Sequence, residues 1–223
     1  MTLESYFKDW MKVIDIKELN KVLVTLNNLY KTHTVFPSKN DVFKAFNLCN
    51  YYDCKVVILG LSPYHDGSAT GIAFANKQDV NEDSMSPSLK VIKNAVTDLQ
   101  NPHNLIIFDP TLESWEKQGI LLLNCSLTVE KNRPESHLAL WRPFISKLLS
   151  NMSEINTGIV YMLFGSEAET FEPYIGCNNF ILKEKHPAWY ARNNRDMPSD
   201  IFRSVDRLMK LKYNLTIKWY EEI

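Results

Sequence analysis

Apolar residues along this chain follow two rhythms, and the alternation between them predicts the fold. Residues 3–13 and 16–31 carry apolar groups at helical spacing, with Leu19, Val22, Leu23, Leu26 and Tyr30 on one face. The stretch Phe36-Pro37-Ser38-Lys39-Asn40 then reads as a turn into a helix that runs through Phe43 and Phe46, with Ser38 or Asn40 as its N-cap. Lys55–Gly60 follows a different rule. It is a short, unbroken apolar run rich in β-branched residues, as expected of a strand covered on both faces of a parallel sheet. Similar runs recur at Ile120–Leu123, Gly158–Phe164 and Phe180–Leu182, with helical patterns at about 87–99, 111–118, 139–151 and 199–211. Strands alternating with helices predict a doubly wound α/β fold: a central, mostly parallel four-stranded sheet flanked by helices. No repeat, low-complexity segment or linker divides the chain. One domain is therefore expected over residues 1–223, with N-terminal helices at 1–33, a core at 36–208 and a C-terminal tail at 209–223.

In such sheets ligands bind beyond the carboxyl ends of the strands, and there the pattern breaks into polar chemistry. The first strand runs into Gly60-Leu61-Ser62-Pro63-Tyr64-His65. Gly60 permits a close turn, Pro63 fixes φ, and Tyr64 can stand as a rigid wall; a plain structural turn is the competing reading. Gly71-Ile72-Ala73-Phe74 brings an aromatic back toward the same edge, either as a stacking surface or as core. Asn124 follows three leucines, Leu121–Leu123. A buried amide there could offer a donor and an acceptor to the edge of a base, or could simply cap a loop. After the last strand come His186-Pro187-Ala188-Trp189-Tyr190-Ala191-Arg192, a His, a stiff turn, two aromatics and an Arg. On a loop, Trp189 and Tyr190 could fill a gap in a base stack, or they could pack the loop down.

Composition narrows the setting without deciding the chemistry. The 25 Lys and Arg residues nearly balance 26 Asp and Glu, so net charge neither favours nor excludes nucleic acid. Cys49, Cys54, Cys125 and Cys177 form no CxxC pair and no zinc spacing, so free thiols in a reducing cytoplasm or nucleus are expected. The N-terminus lacks a basic segment followed by an apolar run, and no window approaches 18 apolar residues, so no membrane association is expected.

The order and spacing of these pieces resemble the main family of uracil-DNA glycosylases from about Phe36 to Leu208. Phe36-Pro37 with Asp41-Val42-Phe43-Lys44-Ala45-Phe46 is similar to that family's entry helix. Val56–His65 resembles its water-activating motif, Gly71–Phe74 the segment with its stacking Phe, and Ser86-Pro87-Ser88-Leu89 its Pro-Pro-Ser-Leu phosphate loop. Leu112–Trp115 and Gln118–Asn124 follow the family nearly residue for residue; Gly165-Ser166-Glu167-Ala168 and His186-Pro187-Ala188 resemble its later motifs.

The resemblance implies base flipping, in which a nucleotide swings out of DNA and its glycosidic bond breaks in a closed pocket. It implies that Tyr64 bars the thymine methyl, Phe74 stacks on the base and Asn124 reads its edge. His186 would stabilise charge on the departing base without metal or cofactor. Ser86, Pro87, Ser88, Gly165, Ser166, Pro187, Ala188 and Arg192 would lie along the DNA, with Tyr190, or Trp189 beside it, inserted into the stack. Two positions depart from the family's Gly-Gln-Asp-Pro-Tyr-His. Leu61 stands for Gln, next to the base, and Ser62 stands for the catalytic Asp. A hydroxyl can orient water but cannot take a full proton. Asp66 offers a substitute carboxylate, although a residue beyond the tight turn is expected to point elsewhere. Two functions follow: a glycosylase excising uracil or a related modified pyrimidine from single- or double-stranded DNA, with reduced rate, or a silent homologue serving as a DNA-binding or replication-accessory protein. A repair or replication partner could dock on the N-terminal helices or the Trp219–Glu222 tail, for which simple packing is the preferred reading. A monomer is expected.

Overall fold

The computed structural model describes residues 2–97 and 105–222. Helix α1 (Leu3–Phe7), capped by Thr2, gives way to a 3-10 turn at Lys8–Lys12, so the predicted 3–13 helix is two short pieces. Helix α2 (Ile16–Thr32) starts at Asp15, whose carboxylate accepts the Glu18 N–H, and buries Leu19, Val22 and Leu26. After strand β1 (Val35–Phe36), helix α3 does not begin until Lys44 and runs to Leu48. Neither Ser38 nor Asn40 caps it; the Ser38 hydroxyl donates to Asp41 instead. The intervening turns serve a close approach, because a Cβ on Gly71 (φ +88) would stand 1.9 Å from the Asp41 carbonyl oxygen.

Strand β2 (Val56–Gly60) is buried throughout. Helix α4 (Pro87–Thr97) follows; the last two residues of its predicted span, 98–99, lie outside the described residues. Beyond β3 (Ile106–Ile107), the predicted 111–118 helix shortens to α5 (Glu113–Glu116). Leu112 takes a left-handed φ of 52° at its start, and Gly119 turns the chain at its end. Strand β4 (Ile120–Asn124), β5 (Val129–Glu130), α6 (Leu138–Ile155), β6 (Val160–Phe164), α7 (Ser166–Glu169), β7 (Phe180–Glu184), α8 (Pro187–Arg192), α9 (Asp200–Tyr213) and β8 (Glu221–Glu222) complete the order.

The central sheet has strand order β4-β2-β6-β7, all parallel, flanked by helices in an α/β domain. Period-two alternation divides its side chains between two cores. Val57, Leu59, Leu121, Leu123, Tyr161 and Leu163 pack against α1, α2, α3 and α6, whereas Val56, Ile58, Ile120, Leu122, Val160 and Met162 face α4, α5 and α9. Edge strand β4 is closed by groups outside the sheet: Leu122 O accepts the Ala73 N–H, and Leu122 N–H donates to the buried Glu116 carboxylate at 2.9 Å. The C-terminal tail packs down, as preferred from the sequence. Trp219 meets Trp115 edge to face with ring centroids 4.8 Å apart, donates its indole N–H to Asp206, and leads into β8, which pairs with β3. Among the described residues no helix is long and apolar enough to cross a membrane, and no cluster of three or more His, Cys, Asp or Glu could hold a metal.

Candidate active site

The carboxyl ends of β2 and β4, with the segment after β7, enclose a narrow cavity. Ser62, Tyr64, Phe74, Ser88, Asn124 and His186 line it, together with Thr70 and Leu127, which the sequence did not single out. Leu127 belongs to Leu127-Thr128-Val129, which is also similar to the family, whereas Thr70 carries no pattern to mark it.

Gly60 makes the cavity's back wall possible. A Cβ there would meet Asn124 Oδ1 at 2.6 Å and Phe74 Cζ at 2.8 Å, so the amide and the ring close over bare backbone. Asn124 is 7 % exposed, and its side chain makes no hydrogen bond among the described residues. Its donor and acceptor are therefore open to a ligand, since a buried amide left unpaired is costly. Phe74 holds a left-handed φ of 66°, a conformation that costs a non-glycine residue about 1–3 kcal/mol and persists only where surroundings enforce it. Its carbonyl accepts the Tyr64 hydroxyl at 3.1 Å, and its ring lies 5.7 Å from Phe164 and 5.4 Å from the His186 ring, centroid to centroid. Burial pushes the Tyr64 phenol up to about 12, so it stays protonated.

His186 is the N-cap of α8, with Pro187 at the first helical position, where its missing N–H costs nothing. Nδ1 accepts the Ala188 N–H at 3.2 Å. Burial, then the nearby Arg192 charge, hold the imidazole down to about 4. The neutral ring with Nδ1 accepting carries its proton on Nε2, so the remaining nitrogen is a donor. Gly165, φ +91, allows the approach: a Cβ there would stand 2.9 Å from His186 Cβ.

The remaining candidates divide between this cavity and a neighbouring groove. Ser62 lines the cavity with its hydroxyl 3.3 Å from the Pro63 carbonyl. Leu61 faces the groove, together with Gly165, Ser166, Ala188, Trp189 and Arg192. Pro187 is buried and Pro87 exposed. Ser86 directs its hydroxyl to Tyr64 at 2.7 Å. Asp66, the substitute carboxylate offered by the sequence, does not reach the cavity: it is exposed, lies outside the cavity lining, and accepts the N–H and hydroxyl of Ser68 at 2.9 and 2.6 Å, bonds that hold its pKa down. No acidic side chain among the described residues lines the cavity. Tyr190 is not an inserted side chain either. The stretch expected as a loop is helix α8, on which adjacent residues point about 100° apart, so Tyr190 is buried and donates to Glu184 at 2.6 Å. Trp189 is the partly exposed one, its ring 3.8 Å below the Lys185 ammonium.

The chain is similar to known proteins over most of its length. Residues 46–210 match the family model described as "Uracil DNA glycosylase superfamily". The uracil-DNA glycosylase of Fusobacterium nucleatum is 33% identical over 222 residues, covering 96% of this chain and 96% of that protein. That of Mesomycoplasma hyopneumoniae is 32% identical over 222 residues, covering 98% and 97%. The crystal structure of mimivirus uracil-DNA glycosylase has the same fold, with a TM-score of 0.76 at 18% identity over 98% of this chain and 93% of that one.

Proposed function

This chain belongs to the uracil-DNA glycosylase superfamily, and on that premise we propose that it is a DNA glycosylase that flips uracil out of DNA and hydrolyses its glycosidic bond for base excision repair. The observation that carries the reading is the convergence of Tyr64, Phe74, Asn124 and a neutral, Nε2-protonated His186 on one cavity. Phe74 stacks on the flipped ring, and Tyr64 stands against C5, where a methyl would overlap it. The Asn124 amide pairs with the uracil edge and rejects cytosine, which would leave buried polar atoms unpaired.

As the bond from C1′ to the base breaks, its electron pair passes onto the uracil ring and its carbonyl oxygen. The His186 Nε2–H donates to that oxygen, which a low-dielectric pocket makes effective. Water then adds at C1′ and releases its proton to solvent. Ser62 orients that water through its hydroxyl but brings no charge to the cation-like sugar. The reaction therefore lacks a contribution of roughly 10²–10⁴ in rate that a carboxylate supplies. Ser88 and Ser166 hold phosphates, and Arg192 adds a positive charge at the groove; the Ala188 N–H is spent on His186 Nδ1. Trp189 meets the base stack beside the flipped nucleotide. The cavity is complete within one chain, which supports action as a monomer.

Oligonucleotides with a single uracil, single- or double-stranded, test the reading. Alkali-labile abasic sites should appear in single-turnover assays with wild-type protein. No cleavage over hours at stoichiometric protein, alongside retained DNA binding, would replace the glycosylase with the silent DNA-binding or replication-accessory homologue.

A further inference from the structure

Ser86 and Tyr64 lie on loops 22 residues apart, and their hydroxyls are 2.7 Å from each other. The Tyr64 O–H is committed to the Phe74 carbonyl at 3.1 Å, so its oxygen is left to accept from Ser86. Ser86 is itself anchored. Its N–H donates to Asn76 Oδ1 at 2.7 Å, and Asn76, 4 % exposed, donates its own N–H to the Pro110 carbonyl at 2.8 Å. Two residues on, Ser88 lines the cavity. The family's Pro-Pro-Ser-Leu places a proline where this chain has Ser86, and proline has no hydroxyl to give.

We propose that Ser86 is a positioning residue for base specificity, holding the Tyr64 ring at a set distance from C5 of the bound pyrimidine and tying that distance to the loop that carries Ser88. A phenol bonded at one point can swing about its side-chain torsions; a second bond from an anchored hydroxyl fixes it. Repulsion between a ring edge and a methyl rises so steeply with approach that a displacement of a few tenths of an ångström decides whether thymine enters. The same chain of bonds runs through Tyr64 to the carbonyl of Phe74, so the wall and the stacking ring are held as one unit. The inference rests on the glycosylase reading for the identity of the base, but its test needs no cleavage.

Fluorescence anisotropy with oligonucleotides bearing one 2′-fluoro-2′-deoxyuridine or its 5-methyl counterpart, both resistant to hydrolysis, reads the preference directly. Wild type should favour the uracil analogue. Ser86→Ala should lower that preference about tenfold, the scale at which a pocket distinguishes one methyl group, and Ser86→Thr, which keeps the hydroxyl, should retain it. Tyr64→Phe deletes the same bond from the other end, so the double variant Tyr64→Phe/Ser86→Ala should be no worse than Tyr64→Phe alone. A Ser86→Ala preference within twofold of wild type, or losses in the two variants that multiply, would overturn the proposal. If Ser86→Ala does not fold, Tyr64→Phe carries the test, and a wild-type preference there overturns it equally. A wild type without preference also overturns it, whereas failure of uracil excision alone would sink only the glycosylase reading.

Discussion

A methyl group placed on Gly60 would stand 2.6 Å from Asn124 Oδ1, closer than any real Cβ contact. Strand β2 thus ends in glycine because the Asn124 amide and the Phe74 ring occupy the side-chain space. Gly60→Ala should displace Asn124 and Phe74 together. Overpacking of this kind costs about 1–3 kcal/mol, and misplacing the reading groups should lower uracil excision about 10²-fold. Melting temperature and single-turnover rate measured on one preparation check it; a variant that loses stability and keeps its rate would contradict the geometry.

Strands β2, β4 and β6 and the residues at their ends are legible for a common reason, whereas the half-buried edge strand β7 shows only its apolar start, Phe180–Leu182. A strand buried on both faces must be a continuous apolar run, and a polar residue directly after it, such as Asn124, stands out. Contacts between distant loops leave no such trace, which is why the Asn76–Ser86–Tyr64 chain and the place of Thr70 in the cavity wall are invisible in the sequence. The turn of Tyr190 away from the groove has a local cause. His186 caps a helix through Nδ1 and Pro187 starts it, so neighbouring aromatics that a loop could present together are turned to different sides.

His186 sets a pH dependence with a definite sign. Its folded pKa of about 4 lies below the ordinary 6.5, so the unfolded chain binds the proton first as pH falls. The associated stability is fully present above 6.5 and is lost as pH falls through about 4, an effect on the order of 1 kcal/mol after solvent screening. Excision should be insensitive to this group above pH 5 and should decline near pH 4. Arg192→Gln removes the adjacent positive charge and should raise the imidazole pKa. Titration of the ring by nitrogen-15 NMR reads both, and an unchanged value in the variant would show that Arg192 has no electrostatic hold on the ring.

Glu116 works in the opposite direction. Burial raises its carboxyl well above 4.5, while one oxygen accepts the Leu122 N–H at the sheet edge and the other has no partner among the described residues. The folded protein keeps this proton after the unfolded chain has lost it. The stability it contributes is complete below 4.5 and falls as pH rises through the folded value. Glu116→Gln preserves the acceptor without the titration, so urea unfolding should find it more stable than wild type at pH 8 and indistinguishable near pH 4. Glu116→Ala orphans the Leu122 N–H and should cost about 1–3 kcal/mol at every pH. Parallel pH profiles for wild type and Glu116→Gln would refute this account.

Trp189 and Tyr190 should separate cleanly despite being adjacent. Trp189→Ala removes the partly exposed ring in the groove and should weaken binding to single-stranded DNA by about 1–3 kcal/mol, the usual worth of one base–aromatic stack. Tyr190→Phe breaks the buried bond to Glu184 and should lower the melting temperature with little change in DNA affinity. Anisotropy titrations and thermal melts on both variants distinguish them, and a larger affinity loss in Tyr190→Phe would reverse the assignment.

Ser62 is the position where the chemistry can be restored. It lines the cavity beside Tyr64, within a pocket that has no acidic side chain among the described residues. A carboxylate at this turn would face the sugar of a flipped nucleotide, offset the positive charge that builds at C1′ and accept the proton of the attacking water. Ser62→Asp should therefore raise the single-turnover rate by about 10²–10⁴, with uracil binding nearly unchanged because the recognition groups are untouched. Asp66→Ala is the matched control. That carboxylate is bonded to Ser68 outside the cavity, so its loss should leave the rate within about twofold of wild type. A large drop in Asp66→Ala would mean that the turn rearranges on DNA to deliver Asp66. A Ser62→Asp variant that folds, binds uracil DNA and cuts no faster would mean that Ser62 does not face the reacting carbon.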